Sequence, residues 1–193
     1  MIAYLHGFNS SPQSHKAQVL GRYLGERGLG GNYACPALPP LAGEAIAAIE
    51  ELMARHPRAP FCWVGSSLGG YYATHLAEKH GARAVLINPA IEPHVGLRAY
   101  LGGQKTLHTG EPYQLTEAHL REWQKLWAPR ITPSRYLLIV ETGDEVLDYR
   151  KALERYAGAA QVVIEGGDHS LQSFPQHLPR ILEFAGLRAG HRA

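Results

Sequence analysis

Three short segments of this chain carry the residue types of nucleophilic acyl chemistry. Gly65-Ser66-Ser67-Leu68-Gly69 is a G-x-S-x-G pentapeptide with Ser67 at its centre. That pattern suits a sharp turn between a strand and a helix, which lifts a serine hydroxyl clear of a sheet. His6-Gly7-Phe8-Asn9 closes an apolar run near the start of the chain. A turn there can offer the Phe8 backbone N–H to a developing oxyanion, and the N–H of Leu68, the residue after the serine, is the second donor. His6 itself reads as a structural histidine bonding its own loop. A base and an orienting acid must come from further along. Glu165-Gly166-Gly167-Asp168-His169 puts His169 just past one apolar run, and Thr142-Gly143-Asp144 puts Asp144 just past another. Ser67 as nucleophile, His169 as general base and Asp144 as its orienting acid form the expected set. Asp148 reads as the charge or cap of a helix N-terminus, and Asp168 as a loop residue too close in sequence to reach around to Nδ1 of His169. The glycine-rich run lacks the G-K-[ST] ending of a phosphate loop.

These groups need a scaffold. Short apolar runs, rich in β-branched and aromatic residues, recur at 2–5, 33–35, 61–65, 84–87, 136–140 and 161–164. Their near-continuous hydrophobicity suits strands buried on both faces of a parallel sheet. Helical patterns lie between them. One opens at Ser11-Pro12, an N-cap with proline at the first helical position. Others cover 45–53, 68–79, 147–156 and 178–187. Strand–helix alternation implies right-handed βαβ units with helices on both faces. The expected architecture is a single α/β domain with a trimmed, mainly parallel sheet of about six strands. With five residues before His6, no additional strands are expected ahead of that turn. Residues from Arg188 onward should be loosely held.

The interval 91–133 breaks the rhythm. No strand is expected in it, only weaker helical patterns at 95–101 and 116–127 joined by the Gly/Lys/Thr/His/Pro-rich piece 102–112. It reads as a lid-like insertion over the end of the sheet that carries Ser67, and Leu107, His108 and Tyr113 are its candidate substrate-pocket residues.

Composition narrows the function classes. The 193 residues are 45% hydrophobic and 19% charged, with a net charge of +2. That excludes intrinsic disorder, and no basic patch for nucleic acid stands out. No apolar stretch approaches the length of a membrane span. Cys35 and Cys62 match neither a disulfide framework nor a zinc spacing, and read as small buried residues in a reducing compartment. The N-terminus lacks the charged start and long apolar run of a signal peptide, so a cytoplasmic location is expected. No metal or organic cofactor is expected, and the partner is expected to be a small-molecule acyl substrate.

The linked motifs resemble those of the YqiA-like esterases, a family of small bacterial α/β-hydrolases. The resemblance lies in Tyr4-Leu5-His6-Gly7-Phe8-Asn9-Ser10-Ser11-Pro12, Gly65-Ser66-Ser67-Leu68-Gly69-Gly70-Tyr71-Tyr72-Ala73, Leu86-Ile87-Asn88-Pro89-Ala90, Thr142-Gly143-Asp144-Glu145-Val146-Leu147-Asp148-Tyr149 and Glu165-Gly166-Gly167-Asp168-His169. It spans nearly the whole chain. It implies a carboxylic-ester hydrolase, with acyl-CoA thioesters as a further substrate class, and Ser67, Asp144 and His169 as the triad. The stretch Thr106-Leu107-His108 departs from the family pattern, which leaves substrate preference open. An amidase or peptidase on the same fold, and a non-catalytic ligand-binding protein on that fold, remain the alternatives.

Overall fold

The computed structural model describes residues 1–106 and 109–187. Its strands are β1 (Ile2–Leu5), β2 (Tyr33–Ala34), β3 (Cys62–Ser66), β4 (Arg83–Ile87), β5 (Gly102–Lys105), β6 (Pro112–Leu115), β7 (Tyr136–Glu141) and β8 (Ala160–Ile164). Its helices are α1 (His15–Gly25), α2 (Ala42–Arg55), α3 (Leu68–His80), α4 (Pro93–Gly96), α5 (Glu117–Lys125), α6 (Tyr149–Arg155) and α7 (Phe174–Phe184). Six strands form one sheet in the order β2-β1-β3-β4-β7-β8, and every neighbouring pair is parallel.

Alternation along each strand feeds two core layers. Ile2, Tyr4, Val85, Ile87, Leu137 and Ile139 pack with Ala17, Leu20 and Leu24 of α1 and Phe174, Leu178 and Ile181 of α7. Ala3, Leu5, Ala84, Leu86, Leu138 and Val140 face the other way, onto α2, α3, α5 and α6. The chain winds outward from β1 to β2, then returns to place β3 on the opposite side of β1. The sheet therefore switches direction between β1 and β3, and a crevice opens beyond their C-terminal ends.

Four expectations are corrected. The interval 91–133 does contain strands: β5 and β6 pair as an antiparallel ribbon, with Gly102 opposite Leu115 and Lys105 opposite Pro112. Leu115 is its one aliphatic side chain and its one buried residue, so backbone pairing defines the ribbon and no hydrophobic run announces it. Helix α1 starts at His15, because the Ser11 hydroxyl accepts from the Gln13 N–H at 3.0 Å and closes a separate turn. Helix α7 starts at Phe174, four residues ahead of the expected pattern, with Pro175 in its first turn and Pro179 inside it. Strand β8 is an edge strand with one open face, where Val163 is exposed. The residues from Arg188 onward lie outside those described.

Candidate active site

Ser67 sits between β3 and α3 with φ 55° and ψ −122°, a conformation that costs a non-glycine residue about 1–3 kcal/mol. Its surroundings hold it there. The Ser67 N–H donates to the Ile87 carbonyl at 3.0 Å, and the Ser67 carbonyl accepts from the N–H groups of Gly70 and Ala90. The glycines of the pentapeptide are required by close approach. A methyl group on Gly69 would occupy the space of the Leu5 carbonyl, and one on Gly65 would collide with the Gly69 carbonyl. The end of β1 thus crosses directly over the start of α3.

That crossing brings the first loop to the serine. A Cβ on Gly7 would lie 3.2 Å from Ser67 Cβ and 3.7 Å from its Oγ. His6 is buried and anchors the turn: its Nε2 accepts from the Leu38 N–H at 3.0 Å, so Nδ1 carries the proton donated to the Gly7 carbonyl at 3.1 Å. Leu68 opens α3, where a backbone N–H has no acceptor within the helix. Phe8 and Leu68 both line the cleft that contains Ser67 and His169.

The acid and the histidine meet beyond the paired strands β7 and β8. His169 Nδ1 lies 2.8 Å from Asp144 Oδ2 and 3.0 Å from Oδ1. The Asp144 side chain is 1% exposed and His169 23%, so the acid sits behind the ring and the ring faces the cleft. Asp144 Oδ1 also accepts from the N–H groups of Val146 and Leu147, at 2.9 and 2.8 Å. Burial pushes the Asp144 carboxyl up, but the bonds from His169, Leu147 and Val146 outweigh it and hold the group below the ordinary aspartate value. Asp148 is instead the N-cap of α6, accepting from the Arg150 N–H. Asp168 closes its own loop by accepting from the Ser170 N–H.

The cleft encloses about 1000 Å³. Its apolar lining includes Phe8, Ile91, Pro93, Leu97, Tyr100 and Val146, and its polar lining includes Ser14, Lys16, Ser170 and Gln172. Phe8 and Tyr100 meet edge to face with centroids 5.7 Å apart. Tyr113 does not line this cleft. Its hydroxyl donates to Asn9 Oδ1 at 2.7 Å and so props the loop after β1. Leu107 and His108 lie outside the described residues. Leu115 and Trp123 are buried in the core. Both thiols are free, Cys62 buried and Cys35 half-buried, and burial pushes each up to about 12.

Sequence reasoning missed three polar residues at the site. Lys16 donates to the Ser170 carbonyl at 2.6 Å; burial lowers its ammonium pKa, opposed by the Asp168, Glu141 and Asp144 carboxylates. Glu141, 2% exposed, accepts from the Asp168 N–H and the Ser173 hydroxyl. Asn88 ties the end of β7 to the loop that carries His169, accepting from the Glu141 N–H and donating to the Asp168 and His169 carbonyls. Only the family-like block around Asn88 had drawn attention in the sequence, and without a role. Among the described residues, no cluster of three or more His, Cys, Asp or Glu could hold a metal ion, and no helix is long and apolar enough to cross a membrane.

A serine on a strained turn after β3, above a parallel sheet of this order, places the chain in the α/β-hydrolase fold class. Solved structures share the fold. Est1E from Butyrivibrio proteoclasticus superposes with a TM-score of 0.70 at 15% identity, covering 95% of this chain and 85% of its own. The mouse α/β hydrolase domain-containing protein 10 gives 0.71 at 16% identity, covering 94% and 87%. The chain belongs to the uncharacterised protein family UPF0227, the YqiA-like family, whose family model matches residues 1–186. A UPF0227 protein of Vibrio vulnificus is 26% identical over 192 residues, covering 95% of this chain and 98% of that protein.

Proposed function

We propose that this protein is a serine hydrolase that cleaves carboxylic esters through Ser67, His169 and Asp144. The observation that carries the reading is the buried Asp144 carboxylate bonded to Nδ1 of a His169 that shares one cleft with Ser67. His169 takes the Ser67 proton at Nε2 as the hydroxyl attacks the ester carbonyl. Asp144 fixes the tautomer that leaves Nε2 free and stabilises the imidazolium that follows. The Phe8 and Leu68 N–H groups receive the oxyanion, each supplying roughly 100- to 1000-fold in rate. His169 then returns the proton to the leaving alcohol. Water, activated by the same imidazole, releases the acid from the acyl-enzyme.

The apolar wall of Phe8, Leu97, Tyr100 and Val146 is the place for an acyl or aryl group, since ligand sites pair apolar surface with a few polar groups. In this reading the insertion 91–133 is a lid-like wall of the single domain, and acyl thioesters are a second substrate class. The hydrolase and esterase neighbours support the general chemistry by likeness of fold.

The test is hydrolysis of p-nitrophenyl esters by the purified protein, with the matching anilides in parallel. Ser67→Ala should lose roughly 10⁴- to 10⁶-fold in kcat with the fold intact, and Ser66→Ala should lose little. Faster anilide than ester cleavage would favour an amidase. Ester hydrolysis that survives Ser67→Ala would overturn the assignment.

A further inference from the structure

The sharpest unexplained arrangement lies in the turn at 87–90, which follows β4 and contributes no reacting group. Its polar groups reach two parts of the site, the serine turn and the histidine loop. The Ile87 carbonyl accepts from the Ser67 N–H, and the Ala90 N–H donates to the Ser67 carbonyl, both at 3.0 Å. Between them stands Asn88, 2% exposed and at φ 39°, in the left-handed region that asparagine tolerates better than most residues. Its Nδ2 donates to the Asp168 and His169 carbonyls at 3.1 and 3.2 Å. Its Oδ1 accepts from the Glu141 N–H at 3.0 Å. Two carbonyls demand donors and one N–H demands an acceptor, so only one orientation of the amide fits.

We propose that Asn88 is a positioning residue: the turn at 87–90 is a bracket that sets the spacing between Ser67 and His169. Its backbone grips the serine and its side chain grips the histidine loop. The loop's other bonds start from different places. Glu141 holds the Asp168 N–H, Glu145 the His169 N–H and Lys16 the Ser170 carbonyl. None of these bonds to Ser67. Asn88 thus stands next to Ile87 and two residues before Ala90, the two residues of the turn whose backbone bonds to the nucleophile. The Asp144 bond fixes how the imidazole is rotated; the bracket fixes how far the ring stands from the hydroxyl.

The inference rests on the serine-hydrolase reading, and its test separates the two. The wild-type protein is first assayed for ester hydrolysis and for labelling of Ser67 by a fluorophosphonate; failure of both removes the reading itself. Asn88→Ala should then lower kcat about 10- to 100-fold, the range that a misplacement of about 1 Å produces. KM should stay within about twofold, and phosphonylation should slow by the same factor as kcat. Asn88→Asp keeps the volume and the acceptor for Glu141 but removes both donors, so it tests the bracket even if the alanine variant does not fold. The comparison is Glu78→Ala, which breaks a network with Thr132, Arg135 and Tyr136 near the far end of α3. It should lower Tm and leave kcat within about twofold. Wild-type kcat in a folded Asn88→Asp, or an equal kcat loss in Glu78→Ala, would overturn the proposal.

Discussion

Replacing Asp144 with asparagine turns the site's geometry into a number. The Oδ1 position is claimed by the N–H groups of Val146 and Leu147, so the asparagine oxygen must stay there. The amide nitrogen is then forced into the Oδ2 position, 2.8 Å from His169 Nδ1. A donor at that distance requires Nδ1 to accept, which moves the imidazole proton to Nε2. The ring can no longer take the Ser67 proton. The corresponding change in the serine protease triad, a worked case for this chemistry, costs about 10⁴-fold in kcat, or about 5 kcal/mol of barrier. Asp148→Asn provides the contrast. Asparagine caps a helix as well as aspartate does, so only the charge at the α6 N-terminus is lost, about 0.3–1 kcal/mol. That lowers Tm by at most about 4 °C in a chain of this size. The assay is kcat on one activated acetyl ester for both variants, with thermal melts alongside. A folded Asp144→Asn that keeps more than about a tenth of wild-type kcat would refute the tautomer argument, and a crippled Asp148→Asn would move the acid to that position.

Two further outcomes follow from the cleft. Gly7→Ala places a methyl group 3.7 Å from Ser67 Oγ, at a backbone conformation an alanine accepts; kcat on an acetyl ester should fall at least about 10-fold with little change in Tm, and an unchanged kcat would mean that the first loop does not confine the hydroxyl. Tyr100→Ala removes one side of the apolar wall, so kcat/KM for long-chain esters should fall about 10-fold while acetyl ester hydrolysis holds; a flat chain-length profile would take the acyl group off this wall.

Much of the scaffold was readable because its residues announce themselves. The six runs of the main sheet were found within a residue or two; Ile, Val, Leu and aromatic residues cluster most densely in the central strands, where both faces are buried, and less so in the edge strands β2 and β8. The ribbon β5–β6 was not, because Gly102, Gly103, Gln104 and Pro112 follow no strand pattern and their pairing is made by the backbone. Glycine spacing and chain order singled out the triad candidates. Asn88 and Glu141 escaped for a different reason. Each is a polar residue at a strand end, and its meaning depends on which backbone groups tertiary packing brings to it, a relation spanning about 80 residues for Asn88 and the His169 loop. No local pattern encodes such a partner.

The interval 91–133 divides its labour along the chain. Its second half is bolted down: Trp123 donates to the Tyr72 hydroxyl at 2.8 Å, its carbonyl accepts from the Tyr71 hydroxyl at 2.6 Å, and Arg155 donates to the Ala128 carbonyl and covers the Trp127 ring. Its first half carries Val95 and Tyr100, both exposed, the latter on the cleft wall. A substitution at Trp123 must be answered by the core, whereas one at Tyr100 is answered chiefly by whatever occupies the cleft. Drift at the exposed Tyr100 can therefore retune what the cleft admits at little cost in stability, while the buried Leu97 and 117–128 keep the anchorage constant. Members of this family are then expected to diverge in their choice of substrate faster than in the scaffold that would act on it.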